Sequence, residues 1–328
     1  VRRLAAQALT GGQLDRISDE VQQALMGAPM TAPSHLVEAI VAHAVTQVPF
    51  YREFRDSAFD DLPIVNKITM RKQPDAFIAA GLDRSKLAAV STSGSTGIPF
   101  TAYFDSGKVS RHRGCVAGTD RYVGVDPFGP IVHARAWGML PPRQRAALAI
   151  KAQLPYAGEQ DDITVRRIAR WLKNRRGASI LGYSSYVERL LRGFEVSSVA
   201  FPDGCVRAVV GGSEPASDYL AEASGRLFAV VPHMRYSNME NGMIAVTGAS
   251  IDEYRLDASS FHIEILKEDS DHPAEPGEVG RIVLTDLFNR AMPLIRYDTG
   301  ERLRFAVDGW RGIVQNVLTC NISRRLDT

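Results

Sequence analysis

Apolar residues recur at three- and four-residue intervals from Leu14 to Leu25 and again from Ser34 to Val48, with Pro29, Pro33 and Pro49 as punctuation. That spacing lines apolar side chains along one helix face, so residues 1–60 read as a helical N-terminal segment. From Leu87 the pattern changes. Short β-rich runs, IVHARAW (131–137), ASILGYSS (178–185), VRAVVGG (206–212) and LFAVVPHMRYSN (227–238), alternate with amphipathic stretches over 142–154, over 162–175 and onward from Tyr186. Alternation of this kind predicts an α/β core over 61–241 with mostly parallel sheets flanked by helices. After Gly242 strands follow one another with turns between them: EYRLD, FHIEILKE, GRIVLTDL, MPLIRYD and RLRFAVDGWRGIVQNVL. Residues 242–321 therefore read as an antiparallel β subdomain, and EDSDHPAEPGE as a polar surface turn within it. No repeat of solenoid period and no low-complexity tract interrupts this order.

Composition narrows the functional classes. With 328 residues and 45% hydrophobic side chains the chain supports one large or two medium cores. Lys and Arg number 39 against 37 for Asp and Glu, which leaves no broad basic field for nucleic acid and no acidic tail. Apolar stretches are broken by Arg, Asp, Glu or Gly well short of the roughly 20 residues a bilayer span needs. The opening VRRLAAQALTGGQLDRISDEVQQALM turns amphipathic and acidic where a secretory signal would stay apolar, so a cytoplasmic location is expected. Cys115, Cys205 and Cys320 are odd in number and widely spaced, fitting neither a disulfide framework nor a zinc site, and read as ordinary buried thiols.

The segment with most chemical content is STSGSTGIPF, Ser91 to Phe100, between the apolar LAAV and the strand-like FTAYF. Its glycines let backbone N–H groups approach phosphate oxygens, and its hydroxyls add donors. The Gly-Lys-Ser/Thr ending of a Walker A loop is absent. By itself such a loop is either a phosphate cradle or a plain turn between strands.

The segment resembles the phosphate loop of the adenylate-forming superfamily, and within it the phenylacetate-CoA ligase and CapK-like branch. The resemblance is carried by an ordered series of motifs from about Pro49 to the end: VPFYRE (48–53), LPIVNK (62–67), the loop itself, GGSEP (211–215), YSNMENG (236–242), PGEVGRIVLTDL (276–287) and AMPLIRYDTGE (291–301). ISRRLDT (322–328) is similar to the hinge that precedes the family's smaller C-terminal domain, with Ser323 in place of Gly, and that domain lies beyond the sequence.

The resemblance implies the large N-terminal domain of an adenylate-forming enzyme. It implies a loop, Thr92, Ser93, Gly94, Ser95, Thr96 and Gly97, that holds the β and γ phosphates of ATP, with Thr96 also counted as catalytic. Glu240 is the implied catalytic carboxylate and Mg²⁺ ligand; a surface position in a turn is the alternative for it. Gly211, Gly212, Ser213, Glu214, Tyr236 and Ser237 would form the adenine side. Glu301 matches the family's ribose-binding Asp with one extra methylene, Asp298 lies three residues earlier, and Arg324 would be the hinge-side arginine. Met239 stands where the family has a Thr hydroxyl directed at phosphate. Trp137, Gly138 and Tyr183, at strand ends, are the expected acyl-pocket residues; His133 reads as a structural histidine.

The implied activity is attack of a small carboxylic acid on the α-phosphorus of Mg·ATP, with release of pyrophosphate and formation of acyl-AMP. Transfer to CoA, a carrier-protein thiol or an amine would follow. Alternatives are a nucleotide-binding pseudoenzyme or partner subunit without turnover, motivated by Met239, Glu301 and the absent domain, and adenylyl transfer to an acceptor other than a carboxylate.

Overall fold

The two N-terminal patterns fold as α1 (Gln13–Gly27) and α2 (Ser34–Gln47), as their spacing predicts. Val21 and Leu25 of α1 and Ile40 and Ala44 of α2 are buried one turn apart. The second helix ends where Val48 turns extended, because the ring of Pro49 disfavours helical backbone in the residue before it. This is a computed structural model, and it describes residues 12–27, 32–91, 100–136, 143, 146–148, 152–159, 161–251, 253–275, 277–305 and 313–315.

The described chain divides into two compact units. One gathers Thr119–Tyr236 with Val246–Tyr254; the other gathers Gly12–Gly118, Ser237–Ala245 and the described residues from Arg255 on.

The first unit holds β3 (Ile131–Ala134), β4 (Gln153–Tyr156), β5 (Ala178–Gly182), β6 (Val206–Gly212) and most of β7 (His233–Asn238), parallel and in the order β4-β3-β5-β6-β7. Parallel neighbours need crossovers, and α5 (Asp162–Lys173), α6 (Ser184–Val196) and α7 (Asp218–Phe228) supply them. Helix α5 starts on Asp161, whose carboxylate accepts the Thr164 N–H at 2.7 Å, and buries Val165, Ile168, Ala169 and Leu172. Strand β6 is buried at six of its seven positions, as expected for a strand covered on both faces.

The second unit holds both N-terminal helices, α3 (Lys67–Lys72), most of α4 (Ser106–Tyr122), the antiparallel pair β1 (Ala88–Ser91) and β2 (Thr101–Phe104), and the antiparallel run β10 (Phe261–Leu266), β11 (Val279–Asp286), β12 (Tyr297–Phe305) and β13 (Ile313–Gln315). Its core joins Val45, Val48, Tyr51, Leu62, Val65, Phe77 and Phe104 to Leu294, Ile295 and Tyr297. The rings of Phe50 and Phe77 stack at 4.2 Å within it. The chain passes between units inside β8 (Gly242–Thr247) and inside β9 (Glu253–Leu256).

Mixed α/β architecture with a mostly parallel sheet and antiparallel strands is therefore as the pattern predicts. Several elements differ. LFAVVPHMRYSN is not one β run: Leu227 and Phe228 close α7, Ala229 takes a left-handed conformation at φ 55°, and strand begins only at His233, after Pro232. The helical reading of 142–154 holds at 143 and 146–148, whereas Gln153–Tyr156 is the edge strand β4. In MPLIRYD the strand starts at Tyr297, because the preceding backbone bonds sideways: Val65 N–H donates to the Arg296 carbonyl at 3.0 Å and Asp286 N–H to that of Leu294 at 2.9 Å. Cys115 and Cys205 are buried free thiols, as expected, and burial pushes the former up to about 12. Cys320 lies outside the described residues. Among the described residues no helix is long and apolar enough to cross a membrane.

Candidate functional site

In the second unit the SNMENG stretch makes a tight turn whose side chains sort by depth. The Asn238 side-chain oxygen accepts from the Asn241 backbone N–H at 2.8 Å and from its side-chain amide at 3.1 Å, closing the turn on itself. Met239 points outward and is 51% exposed, while Glu240 and Asn241 are each 1% exposed. Gly242 follows at φ +89°, a backbone state that costs other residues strain.

Glu240 is therefore a buried carboxylate and not a surface one. Its Oε1 forms an ion pair with Lys67 Nζ and accepts a long hydrogen bond from the Tyr297 hydroxyl at 3.4 Å. Both partners reach it by local design. Lys67 is the first residue of α3, fixed by the Asn66 cap, whose side-chain oxygen accepts from Thr69 N–H at 2.9 Å. Tyr297 opens β12 and bridges to Val65, so that the LPIVNK and IRYD segments lie side by side and deliver a cation and a phenol to one carboxylate. Among the described residues, the other oxygen of Glu240 and the side-chain oxygen of Asn241 are buried without a hydrogen-bond donor. Hard oxygen acceptors lacking donors suit a divalent cation that keeps most of its remaining positions for water and phosphate. Among the described residues no cluster of three or more His, Cys, Asp or Glu forms a protein-only metal cage.

In the first unit GGSEP sits where β6 ends, at the carboxyl edge of the parallel strands. Val210, Gly211 and Gly212 pair with His233, Met234 and Arg235. A Cβ on Gly211 would lie 2.8 Å from the Met234 sulfur and from the Ser184 hydroxyl, so the flat backbone here depends on glycine. Ser213 has φ +63°, and Glu214 spends its carboxylate on the Ser185 N–H at 3.0 Å, in the first turn of α6. Tyr183 stands at the N-cap of that helix, its N–H on the Ala134 carbonyl at 2.8 Å and its ring edge-on to Tyr186 at 5.7 Å. Tyr236, on β7, is half-buried, and Ser237, the next residue and the start of a second-unit segment, is exposed.

One feature here carried no sequence signal. Arg235 forms an ion pair with Asp120, whose carboxyl burial raises while the guanidinium opposes that rise. Burial, with Arg135 and Arg235 adding to it, lowers the His133 imidazole to about 4, so it stays neutral at physiological pH, in keeping with a structural histidine.

Thr92, Ser93, Gly94, Ser95, Thr96 and Gly97 lie outside the described residues, as do Trp137, Gly138 and Arg324. The flanks of the loop are described: β1 and β2 pair with Ser91 opposite Thr101, and their hydroxyls meet at 2.9 Å. Glu301 is in β12, with its side chain outside the described set. Asp298 is engaged, with Arg281 at 2.8 Å and with Gly300 N–H at 2.8 Å. LPIVNK was legible as a landmark, but Lys67 as partner of Glu240 was not, because the pairing joins distant segments.

No family model matches the chain. In sequence it is 24% identical over 284 residues to phenylacetate-coenzyme A ligase of Thermus thermophilus, an alignment covering 81% of this chain and 63% of that enzyme. In structure it is similar to 2-hydroxyisobutyryl-CoA ligase, solved in complex with 2-HIB-AMP and CoA, with a TM-score of 0.62, 16% identity, and coverage of 86% of this chain and 71% of that one. An acyl-CoA synthetase of Brucella canis gives a TM-score of 0.50 at 16% identity, covering 71% of this chain and 45% of that one. The chain has the fold of the N-terminal domain of adenylate-forming enzymes, and the resemblance drawn from the motifs to that superfamily and its phenylacetate-CoA ligase branch is borne out.

Proposed function

We propose that this chain is the nucleotide-binding part of an ATP-dependent ligase that activates a carboxylic acid as acyl-AMP, releases pyrophosphate and passes the acyl group to CoA or another thiol or amine. The observation that carries the reading is the buried Glu240 turn, where one carboxylate oxygen is paired with Lys67 and the other, among the described residues, has no hydrogen-bond donor. Bound Mg²⁺ would supply charge neutralisation of the phosphates, and Glu240 would hold it. The protein's own part is positioning, since in-line attack by a substrate carboxylate needs no protein nucleophile. Lys67 balances Glu240 in the nucleotide-free protein and offers its ammonium to phosphate oxygens when ATP and metal arrive.

The same reading gives Thr92, Ser93, Ser95 and Thr96, with the backbone at Gly94 and Gly97, the β and γ phosphates. Gly211, Gly212, Ser213, Tyr236 and Ser237 take the adenine side, with Glu214 bracing the turn at Gly212 and Ser213. Glu301 takes the ribose, Arg324 stands at the hinge, and Trp137, Gly138 and Tyr183 line the acyl pocket.

Pyrophosphate release from Mg·ATP, measured across aryl, fatty and amino acids for the native protein and for Glu240→Gln, tests the proposal. One acid class should give release, and the variant should lose about a hundredfold or more of it. Nucleotide binding without release for any acid would replace carboxylate activation by binding without turnover.

A further inference from the structure

We propose that Lys108 is a positioning residue for the metal-binding turn: it clamps the peptide that follows Glu240, and Asp286 cancels its charge so that the clamp does not repel the cation. The inference rests on the reading of Glu240 as the metal ligand. Lys108 is 1% exposed and donates from Nζ to the Asn241 carbonyl at 2.8 Å. The same ammonium lies 2.6 Å from Asp286 Oδ2, and Asp286 is fully buried. Phe261 and Phe104 flank it, with ring centroids at 4.9 and 5.7 Å. The buried ammonium is thus shared between the Asn241 carbonyl and the Asp286 carboxylate.

Both ends of the clamp are anchored. The Lys108 N–H donates to Asp105 Oδ1 at 2.8 Å, and the other Asp105 oxygen accepts from Arg290 N–H at 2.7 Å and Ala291 N–H at 3.1 Å. Asp286 also accepts from Phe288 N–H at 3.0 Å. One helical turn on, His112 abuts the same turn of chain, its Nδ1 lying 2.4 Å from where a Cβ on Gly242 would stand. Helix α4 thus holds the residues after Glu240 at two successive turns.

An unpaired ammonium on the peptide that follows a metal-ligating carboxylate would oppose cation binding through a weakly screening interior. Pairing with Asp286 removes that penalty and leaves the geometric effect. Groups that orient a metal ligand from behind are worth about tenfold to a hundredfold in metal affinity.

The test measures the affinity for ATP with saturating Mn²⁺ and again in EDTA, by calorimetry, and takes the ratio. General loosening of the fold weakens both affinities; loss of the clamp lowers only the ratio. Lys108→Met alone strands a buried carboxylate and should lower the melting temperature, so the decisive variant is Lys108→Met with Asp286→Asn, which removes both charges together. Its melting temperature should recover relative to the single variant, while the ratio stays about tenfold or more below wild type. A wild-type ratio in the double variant, with Glu240→Gln still reduced, would overturn the clamp and leave the metal reading standing. A wild-type ratio in Glu240→Gln would overturn the metal reading and the clamp with it.

Discussion

At the residue scale the turn that carries Glu240 works by giving each position a different depth. Asn238 ties the turn, Met239 faces solvent, Glu240 and Asn241 go inward, and Gly242 makes room for His112. The exposure of Met239 leaves the substitution of a Thr at that position free of packing consequence. Gly242 has no such freedom, since it combines φ +89° with a position where an added Cβ would lie 2.4 Å from the His112 ring. Gly242→Ala should cost about 2–3 kcal/mol in urea unfolding, from backbone strain and the forced retreat of the ring. A loss below about half a kilocalorie would show that the turn relaxes freely. The inward carboxylate could not be read from sequence, because an Asn-Met-Glu-Asn run in a turn has the polarity of a surface loop. What reverses that reading is Lys67, held on another segment.

At the element scale α4 shows where periodicity fails. Its buried positions other than glycine, Lys108, Arg111, Cys115, Thr119 and Asp120, follow helical spacing but are mostly polar, so no apolar stripe announces them. Arg111 is satisfied by Glu20 at 2.8 Å, by Ser260 at 2.9 Å and by stacking over Phe288 at 4.1 Å. Close approach of α1 to α4 depends on small residues: a Cβ on Gly114 would lie 2.2 Å from an Ile17 methyl carbon, and one on Gly118 would lie 2.7 Å from the Ser18 carbonyl oxygen. Gly114→Ala should destabilise the protein by about 1–3 kcal/mol, the usual cost of overpacking. Adding Ile17→Ala should return part of that loss in a double-mutant cycle, because the clash is with that side chain. Additive losses would mean that the two helices do not meet through this pair. By contrast α1, α2 and α5, with ordinary apolar stripes, were legible to within a few residues.

At the scale of the whole molecule the balance of 39 basic against 37 acidic residues conceals an uneven distribution of buried charge. Lys67 with Glu240, Lys108 with Asp286 and Arg296 with Glu264 are paired inside. Breaking one member of such a pair costs about 3–5 kcal/mol, largely through the stranded partner. Histidines add a pH term. Burial lowers His112, His133, His233 and His262, the second of these from 6.5 to about 4. A depressed imidazole binds its proton more readily in the unfolded chain, so its contribution is present above 6.5 and is lost as pH falls toward the folded value of about 4. Asp120, raised by burial, acts in the opposite sense. The melting temperature should therefore drop on acidification from pH 6.5 toward 4, and His133→Asn should flatten part of that slope. A melting temperature that is level or rising across this window would contradict the neutral buried imidazoles.

The sequence by itself determined the class of fold, the two N-terminal helices, the strands on either side of the Ser91 to Phe100 segment and the order of the motifs. These are local properties: a period of 3.6 or 2 and a run of small donors are written in neighbouring residues. Tertiary structure alone decided that Glu240 is buried, that Lys67 and Tyr297 meet it, and that Lys108 and Asp286 stand behind its turn. A buried charge is held by partners far away in the chain, and its polarity taken alone predicts the surface; only the topology that brings those segments together can reverse that prediction.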